Sequence, residues 1–574
     1  MKHLLKYFKP YLKETILAPT FKLCEALLEL LIPIIITQII DKGIGNNDTT
    51  YIIKMVALMV LCGITGLAFS ITAQYFSAKA SVGFCTKLRY DIYNKIQSLT
   101  FTDIDKLGSS SMITRMTSDV NQVQTGINLT LRLLLRSPFV VFGAAILASI
   151  LAPSLAYVFW ITIGILLIVV FSIILISIPL HRKVQLNLDE VLQDTRENLT
   201  GVRVIRAFTN EESEIKEYNE VTKILEKSQN KVSNIASLMN PLTYVIINIA
   251  IVLLIYVGAI KVNDGILSKG EVVALYNYMS QILVELIKFA NLVITITKAI
   301  ACAKRLNTVL GMESRVTVLP QETDKAKAYI EFDHVYLNYQ DSSIPSLEDI
   351  SFKVNKGETI GIIGGTGSGK TSLVNLLTRF YDSSKGSIYI DTHNIESYEP
   401  EYLRDNIGVV MQKAVLFKGT IKENICLGLD KTDEEVLEAC KIAQCIDVIN
   451  KKENGLNALV EQNGRNFSGG QRQRLSIARA IVKKPKILIL DDSASALDYA
   501  TEASLRKALK NMSFNPTTFI ISQRTSSIKH ADKIIVLDDG KLVGFDTHDN
   551  LLQTSKVYQE IYYSQFKKES GINE

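Results

Sequence analysis

A membrane all-α domain of six long helices followed by an α/β phosphate-binding domain is the fold class this sequence predicts, on three observations. Apolar residues concentrate in the first three hundred positions, in runs long enough to cross a bilayer. From about residue 329 short β-branched strands alternate with helical segments. A glycine-rich segment, GGTGSGKT at 364–371, stands between one such strand and a helix.

The 574 residues exceed what one hydrophobic core organises. With 47% apolar and 21% charged residues, intrinsic disorder is excluded and lipid is indicated. A formal charge of +5 is too small and too dispersed for a nucleic-acid surface. The seven cysteines (24, 62, 85, 302, 426, 440, 445) include no C-x-x-C pair, so the reading is reduced, buried thiols rather than disulfides or zinc.

The start, MKHLLKYFKPYLKE, interleaves apolar residues with lysine, which reads as an interfacial helix rather than a signal peptide. Residues 55–78, 153–180 and 232–260 carry no charge and each exceeds the ~20 residues needed to span ~30 Å of hydrocarbon. Residues 133–152, broken by Arg136, and 272–299, broken by Glu285, Lys288 and Lys298, also read as spans; 15–40 forms a weaker first one. Short links fall near 41–54, 149–156 and 261–271, and long polar ones at 79–131 and 181–231. The long links are amphipathic at helical spacing (Leu88, Ile92, Ile96; Val202, Ile205, Phe208), so the spanning helices are expected to continue beyond the bilayer. Six spans return the chain to its starting side, putting both long links and the C-terminal half in one compartment.

Lys22, Glu25 and Glu29 share one face of the first span. Two readings apply: a polar patch in a transport path attracting cationic, partly apolar compounds, or a structural role, as a self-neutralising Lys/Glu cluster or in contacts with Arg132 and Arg136. The second is favoured. The expected organisation is a membrane domain over 1–310, a linker over 311–328 and a nucleotide-binding domain over 329–574.

Strand TIGII (359–363) precedes the loop Gly364, Gly365, Thr366, Gly367, Ser368, Gly369, Lys370, Thr371. Its glycines let successive N–H groups face phosphate oxygens, Lys370 neutralises the β/γ-phosphates, and Thr371 is a Mg²⁺ ligand. ILILDD at 487–492 is a buried strand ending in Asp491, which completes the Mg²⁺ shell. FSGGQRQR at 467–474 opens an apolar helix, and Ser468, Gly469, Gly470 and Gln471 form a second anion-binding nest. ATP and Mg²⁺ are therefore expected, with this half facing the cytoplasm.

Walker A, the FSGGQ signature, Walker B and SALD, in this order, resemble the ATPase domain of an ABC transporter. With six preceding spans and long cytoplasmic links, the whole chain resembles an exporter-type half-transporter. The resemblance implies that Tyr339 stacks on adenine and that Gln412 meets Mg²⁺ and the attacking water while touching the membrane domain's loops. It also implies that Ser495 to Asp498 contact an opposite subunit, and that segments 101–110 and 207–216 dock into ATPase domains. In the family two ATPase domains meet head to tail, so a second half-transporter is the implied partner, alongside membrane lipid and a small amphipathic substrate, and without nucleic acid.

Two positions depart from the family pattern. Asp492 stands where the family has Glu, drawing the water-polarising carboxylate back by ~1.5 Å, and a misplacement of about 1 Å costs on the order of a hundredfold. Gln523 stands where the family has its switch histidine, and an amide cannot exchange protons near neutral pH. An intact signature beside these changes implies a weakly hydrolytic site of its own, with Ser468 to Gln471 serving a competent site on the partner, as in bacterial heterodimeric multidrug exporters. The alternatives are a homodimeric lipid or peptide exporter or flippase, an importer on the exporter fold, and an ATP-binding regulatory scaffold.

Overall fold

The computed structural model describes residues 2–312, 318–320, 328–339, 342 and 344–566. Most of the expected linker, 313–317 and 321–327, lies outside the described residues. The chain divides into two compact units, one of residues 1–97 and 108–312 and the other of 98–107 and 313–574.

The first unit is helical: α1 (Leu12–Gln38), α2 (Thr49–Gln97), α4 (Val120–Leu133), α5 (Arg136–Leu151), α6 (Ala156–Ala207), α7 (Glu211–Ser237), α8 (Met239–Asn263) and α9 (Lys269–Leu310), while α3 (Phe101–Leu107) belongs to the other unit. Among the described residues six helical stretches are long and apolar enough to cross a membrane. At ~1.5 Å per residue, the 52 residues of α6 reach about 78 Å, far beyond ~30 Å of hydrocarbon. The polar links are thus mostly helix. Helix α9 begins where Ser268 and Glu271 form a reciprocal capping box, and the Asp41 carboxylate accepts from the Gly270 N–H (2.8 Å) at its positive end.

The two long links differ. Leu88 and Ile92 are fully buried with Tyr7, Phe84, Val123 and Leu306, which also holds down the N-terminal segment. Val202 and Phe208 are exposed, Phe208 by 79%. The α6–α7 hairpin turns at Thr209 (φ 53) with Leu199, Val204, Phe208 and Ile215 all exposed. The apolar face read there is real but uncovered, because beyond Val191 no residue of α6 is buried.

The charges around Lys22 and Arg136 are paired. Arg136 donates to Glu285 (2.6 Å) and Glu29 (2.5 Å); Glu285, 2% exposed, also accepts from Lys288 (2.8 Å) and Ser137 (3.0 Å). Lys22 donates to Glu25 (2.5 Å) and Ser70 (2.9 Å). The self-neutralising arrangement is the one adopted, with Arg136, not Arg132, meeting Glu29.

The second unit contains an antiparallel sheet of β1 (Ile330–Leu337), β2 (Leu347–Val354), β4 (Lys385–Ile390) and β5 (His393–Asn394) in the order β2-β1-β4-β5. A six-stranded sheet joins β3 (Thr359–Gly364), β6 (Ile407–Val410), β7 (Ile487–Asp491), β8 (Thr517–Ile521), β9 (Lys533–Asp538) and β10 (Lys541–Asp546) in the order β10-β9-β3-β8-β7-β6. All its pairings are parallel except β9 with β10. Every residue of β7 is buried, as expected of a strand covered on both faces. Three neighbouring strands, β3, β8 and β7, end side by side, Ile521 pairing with both Ile362 and Asp491. That register brings the functional loops together.

Candidate nucleotide-binding site

Beyond β3 the loop turns through Gly367 (φ 86) and Gly369 (φ 93) into α10 (Lys370–Leu377). A side chain at Gly369 would lie 2.8 Å from the Ser346 carbonyl oxygen, whereas Gly365 and Gly367 face open space. The loop is a cradle closed behind and open in front. Lys370 Nζ curls over it, donating to the carbonyls of Gly364 (2.9 Å) and Gly365 (2.6 Å) and reaching Ser368 Oγ at 3.4 Å. Burial pushes the Lys370 ammonium below its ordinary pKa, against the pull of Asp491 and Asp492.

Asp491, 6% exposed, accepts a 3.3 Å hydrogen bond from Thr371 Oγ1. Burial raises its pKa, offset in part by that hydroxyl. Asp492 takes a left-handed backbone (φ 46), its N–H donating to Ile521 O (3.0 Å) and its carbonyl accepting from Ser495 Oγ (2.8 Å). Its carboxyl is also raised by burial, with Ser495, Arg524 and Gln412 acting in the opposite direction. Gln412 stands exposed after β6. Gln523 sits just beyond β8, exposed, and its side chain makes no hydrogen bond among the described residues.

Tyr339 Oη donates to Ser372 Oγ (3.1 Å) in α10, which places its ring beside the loop. The signature lies elsewhere in the unit. Ser468 caps α11 (Gly469–Ile481), accepting from the Gln471 N–H (3.3 Å) while its own N–H donates to the Gln471 side chain (2.9 Å). Gly469 is open to solvent, and a side chain at Gly470 would meet Ala496 O at 2.9 Å. Among the described residues no hydrogen bond joins the signature to the glycine loop. In the SALD segment Asp498 caps α12 (Tyr499–Lys510), and the Thr501 N–H (2.8 Å) and hydroxyl hold its carboxyl below the ordinary range.

The profile of the ABC transporter transmembrane region matches residues 15–286, and that described as ABC transporter matches 347–495. A Bacillus subtilis ABC transporter ATP-binding protein, YfiB, is 36% identical over 573 residues, covering the whole of both chains. This chain belongs to the ABC transporter family. A Mycobacterium tuberculosis ABC transporter ATP-binding protein, Rv1273c, is 32% identical over 98% of the transporter and 97% of its own length. The ATP-dependent lipid A-core flippase of Yersinia pestis is 29% identical over 97% and 96%. Among solved structures, a bacterial Atm1-family ABC exporter with ATP bound shares the fold with a TM-score of 0.81 at 22% identity, covering 98% of the transporter and 99% of that chain.

The transporter is therefore a multi-pass membrane protein with a cytoplasmic ATPase domain that couples ATP to transport. The residues fit the groups this requires. An open N–H cradle with a lysine over it suits phosphate, and a buried carboxylate beside a hydroxyl supplies the hard oxygen donors that Mg²⁺ takes. When bound, Mg²⁺ neutralises phosphate charge. The chain's own part is the open turn of backbone N–H groups, with Lys370 over it and Thr371 and Asp491 beside it.

Sequence reasoning missed Gln565, the last residue of α13 (Lys556–Gln565). Its side-chain oxygen accepts from the Thr525 N–H (2.9 Å) and its amide donates to Gln523 O (2.7 Å), clamping both sides of the loop that carries Gln523. Forty-two residues separate the partners, and no local pattern signals the contact.

Proposed function

We propose that this transporter is one subunit of a heterodimeric exporter of small amphipathic compounds, binding ATP in a weakly hydrolytic site of its own and lending Ser468 to Gln471 to a competent site on its partner. The observation that carries this reading is the pair Asp492 and Gln523, on the two adjacent strand ends that face the glycine loop. Asp492 brings its carboxylate one methylene short, and Gln523 supplies an amide where a titrating group is needed. Two further features support a dimer. No hydrogen bond joins the signature to the glycine loop of its own chain among the described residues, and the α6–α7 hairpin carries uncovered apolar residues around Phe208. The balanced cluster of Lys22, Glu25, Glu29, Arg136, Glu285 and Lys288 favours amphipathic over strongly charged cargo.

In this reading Tyr339 receives the base, Gly364 to Lys370 the phosphates, and Thr371, Gln412 and Asp491 the metal. The test is Asp492→Glu with Gln523→His in the purified transporter: ATP turnover at this site should rise on the order of a hundredfold. Full-rate hydrolysis by the unaltered chain alone, unchanged by both substitutions, would sink the proposal. The similarity to a lipid A-core flippase supports a second reading, a homodimeric lipid exporter. Subunit composition after purification and lipid movement in vesicles separate the two.

A further inference from the structure

We infer that Gln565, the last residue of α13, is a positioning residue through which the site distinguishes ATP from ADP: it fixes the backbone of residues 523–525, and with it the approach of Gln523 to the terminal phosphate. The inference rests on reading the end of β8 as the part of the site that faces that phosphate.

The chain beyond β8 has few internal means of holding its course. Ser522 is 3% exposed, its N–H donating to Ile362 O of β3 (3.1 Å) and its hydroxyl accepting from the Arg524 N–H (3.0 Å). A single helical turn follows over Thr525–Ile528. The first N–H groups of such a turn have no partner within it, and Arg524 at its cap offers no side-chain acceptor. Gln565 supplies one. Its Oε1 accepts from the Thr525 N–H (2.9 Å) and its Nε2 donates to Gln523 O (2.7 Å), so a single amide brackets Arg524.

The helix that carries this amide is mounted on the core. Tyr558 of α13 is fully buried in one cluster with Ile363, Ile528, Ile534 and Val536, and its hydroxyl lies 2.7 Å from His548 Nδ1. Ser555 caps the helix, accepting from the Tyr558 N–H (3.3 Å). Ile363 immediately precedes Gly364, the first residue of the glycine loop. From Tyr558 to Gln565 is about two helical turns. The clamp therefore refers the loop beyond β8 to the same core that carries the glycine loop.

Two side chains depend on that reference. Gln523 is exposed and its side chain makes no hydrogen bond among the described residues, so its direction is set by its backbone. Arg524 lies over the Tyr499 ring at 5.7 Å, with Nη2 3.5 Å from Ser495 O, which joins the loop to the SALD segment. Gln565 is itself exposed, and a surface amide adds little to global stability. What it adds is placement: an acceptor and a donor held a fixed distance apart admit one arrangement of the two backbone groups they bridge. A contact with the terminal phosphate strengthens the binding of ATP and leaves that of ADP alone, which gives the placement a selective readout.

The test is Gln565→Leu in the full-length transporter in lipid nanodiscs, with Mg²⁺-ATP and Mg²⁺-ADP binding and amide hydrogen exchange as readouts. Leucine keeps the bulk of the side chain and bridges neither backbone group. Exchange at Thr525 should quicken about tenfold, while exchange across residues 556–563 and the melting temperature stay as they are. ATP affinity should fall about tenfold and ADP affinity less than about twofold. Unchanged exchange at Thr525, or equal losses for ATP and ADP, would each overturn the inference, the second because it marks a merely structural residue. Gln523→Ala separates the two levels. An unaltered preference for ATP in that variant removes the reading of the loop itself, whereas a lowered preference there beside an unaltered one in Gln565→Leu removes only the clamp.

Discussion

Buried charges are treated oppositely at two sites, one in each half of the transporter: around Glu285 and around Asp491. In the membrane half Glu285 is met by a guanidinium, an ammonium and a hydroxyl, and Arg136 divides itself between two carboxylates, leaving only its Nε without a partner among the described residues. In the ATPase half the Asp491 carboxylate has, among the described residues, a single long hydrogen bond from Thr371, and Lys370 turns to its own loop's carbonyl oxygens. Both sites contain acid and base residues in apolar surroundings. Charges satisfied by one another hold helices in place, whereas charges left short of partners in a rigid cradle are arranged for a ligand.

The comparison is most severely tested by Glu285→Ala, which takes from the buried Arg136 its buried partner and leaves it Glu29 alone. The expected cost is about 3–5 kcal/mol in the stability of the purified protein, read from denaturation in detergent. A loss below about 1 kcal/mol would mean the cluster is not structural. Next is Lys370→Ala, expected to weaken ATP binding on the order of a hundredfold, with little change in the ligand-free melting temperature, since no ion pair is lost.

Asp491→Asn should do the reverse of Glu285→Ala. Removing a carboxylate whose burial is uncompensated should stabilise the ligand-free protein by about 1 kcal/mol while abolishing the Mg²⁺ dependence of ATP binding. The same burial sets a pH trend. Because the folded pKa of Asp491 is raised above its ordinary 3.8, the folded chain takes up the proton more readily than the unfolded one. Its contribution to ligand-free stability is full below 3.8 and is lost as pH rises through the folded value, a trend that Asp491→Asn should remove. The smallest effect is expected from Glu25→Gln with Glu29→Gln: transport of cationic dyes in inverted vesicles should change less than about twofold, because these carboxylates neutralise Lys22 and Arg136 rather than attract cargo. A large selective loss for cations would reassign the face to the transport path.

Legibility followed the distance over which the relevant physics acts. The glycine loop could be read directly because strand, positive-φ glycines and helix start are consecutive, and the spans because bilayer thickness imposes run length. Lys22, Glu25 and Glu29 were legible as one face of a helix, yet their environment was not, since Arg136 meets Glu285 across 149 residues. The amphipathic pattern at Val202, Ile205 and Phe208 was also legible, but periodicity marks a face without saying whether the same chain covers it. Gln565 had no sequence signal, because an amide bridging two backbone groups demands no particular neighbours.

By itself the sequence determined the chemistry available: a glycine-rich phosphate loop, two adjacent carboxylates at Asp491 and Asp492, an amide at Gln523, and six runs that water excludes. These follow from side-chain identity and local backbone preference, which act over a few residues. Only the tertiary structure decided which charges cancel, which strand ends stand side by side, and that Tyr381 reaches Asp105 across 276 positions. Pairings of that separation are set by how whole helices and strands pack, and no local propensity encodes them.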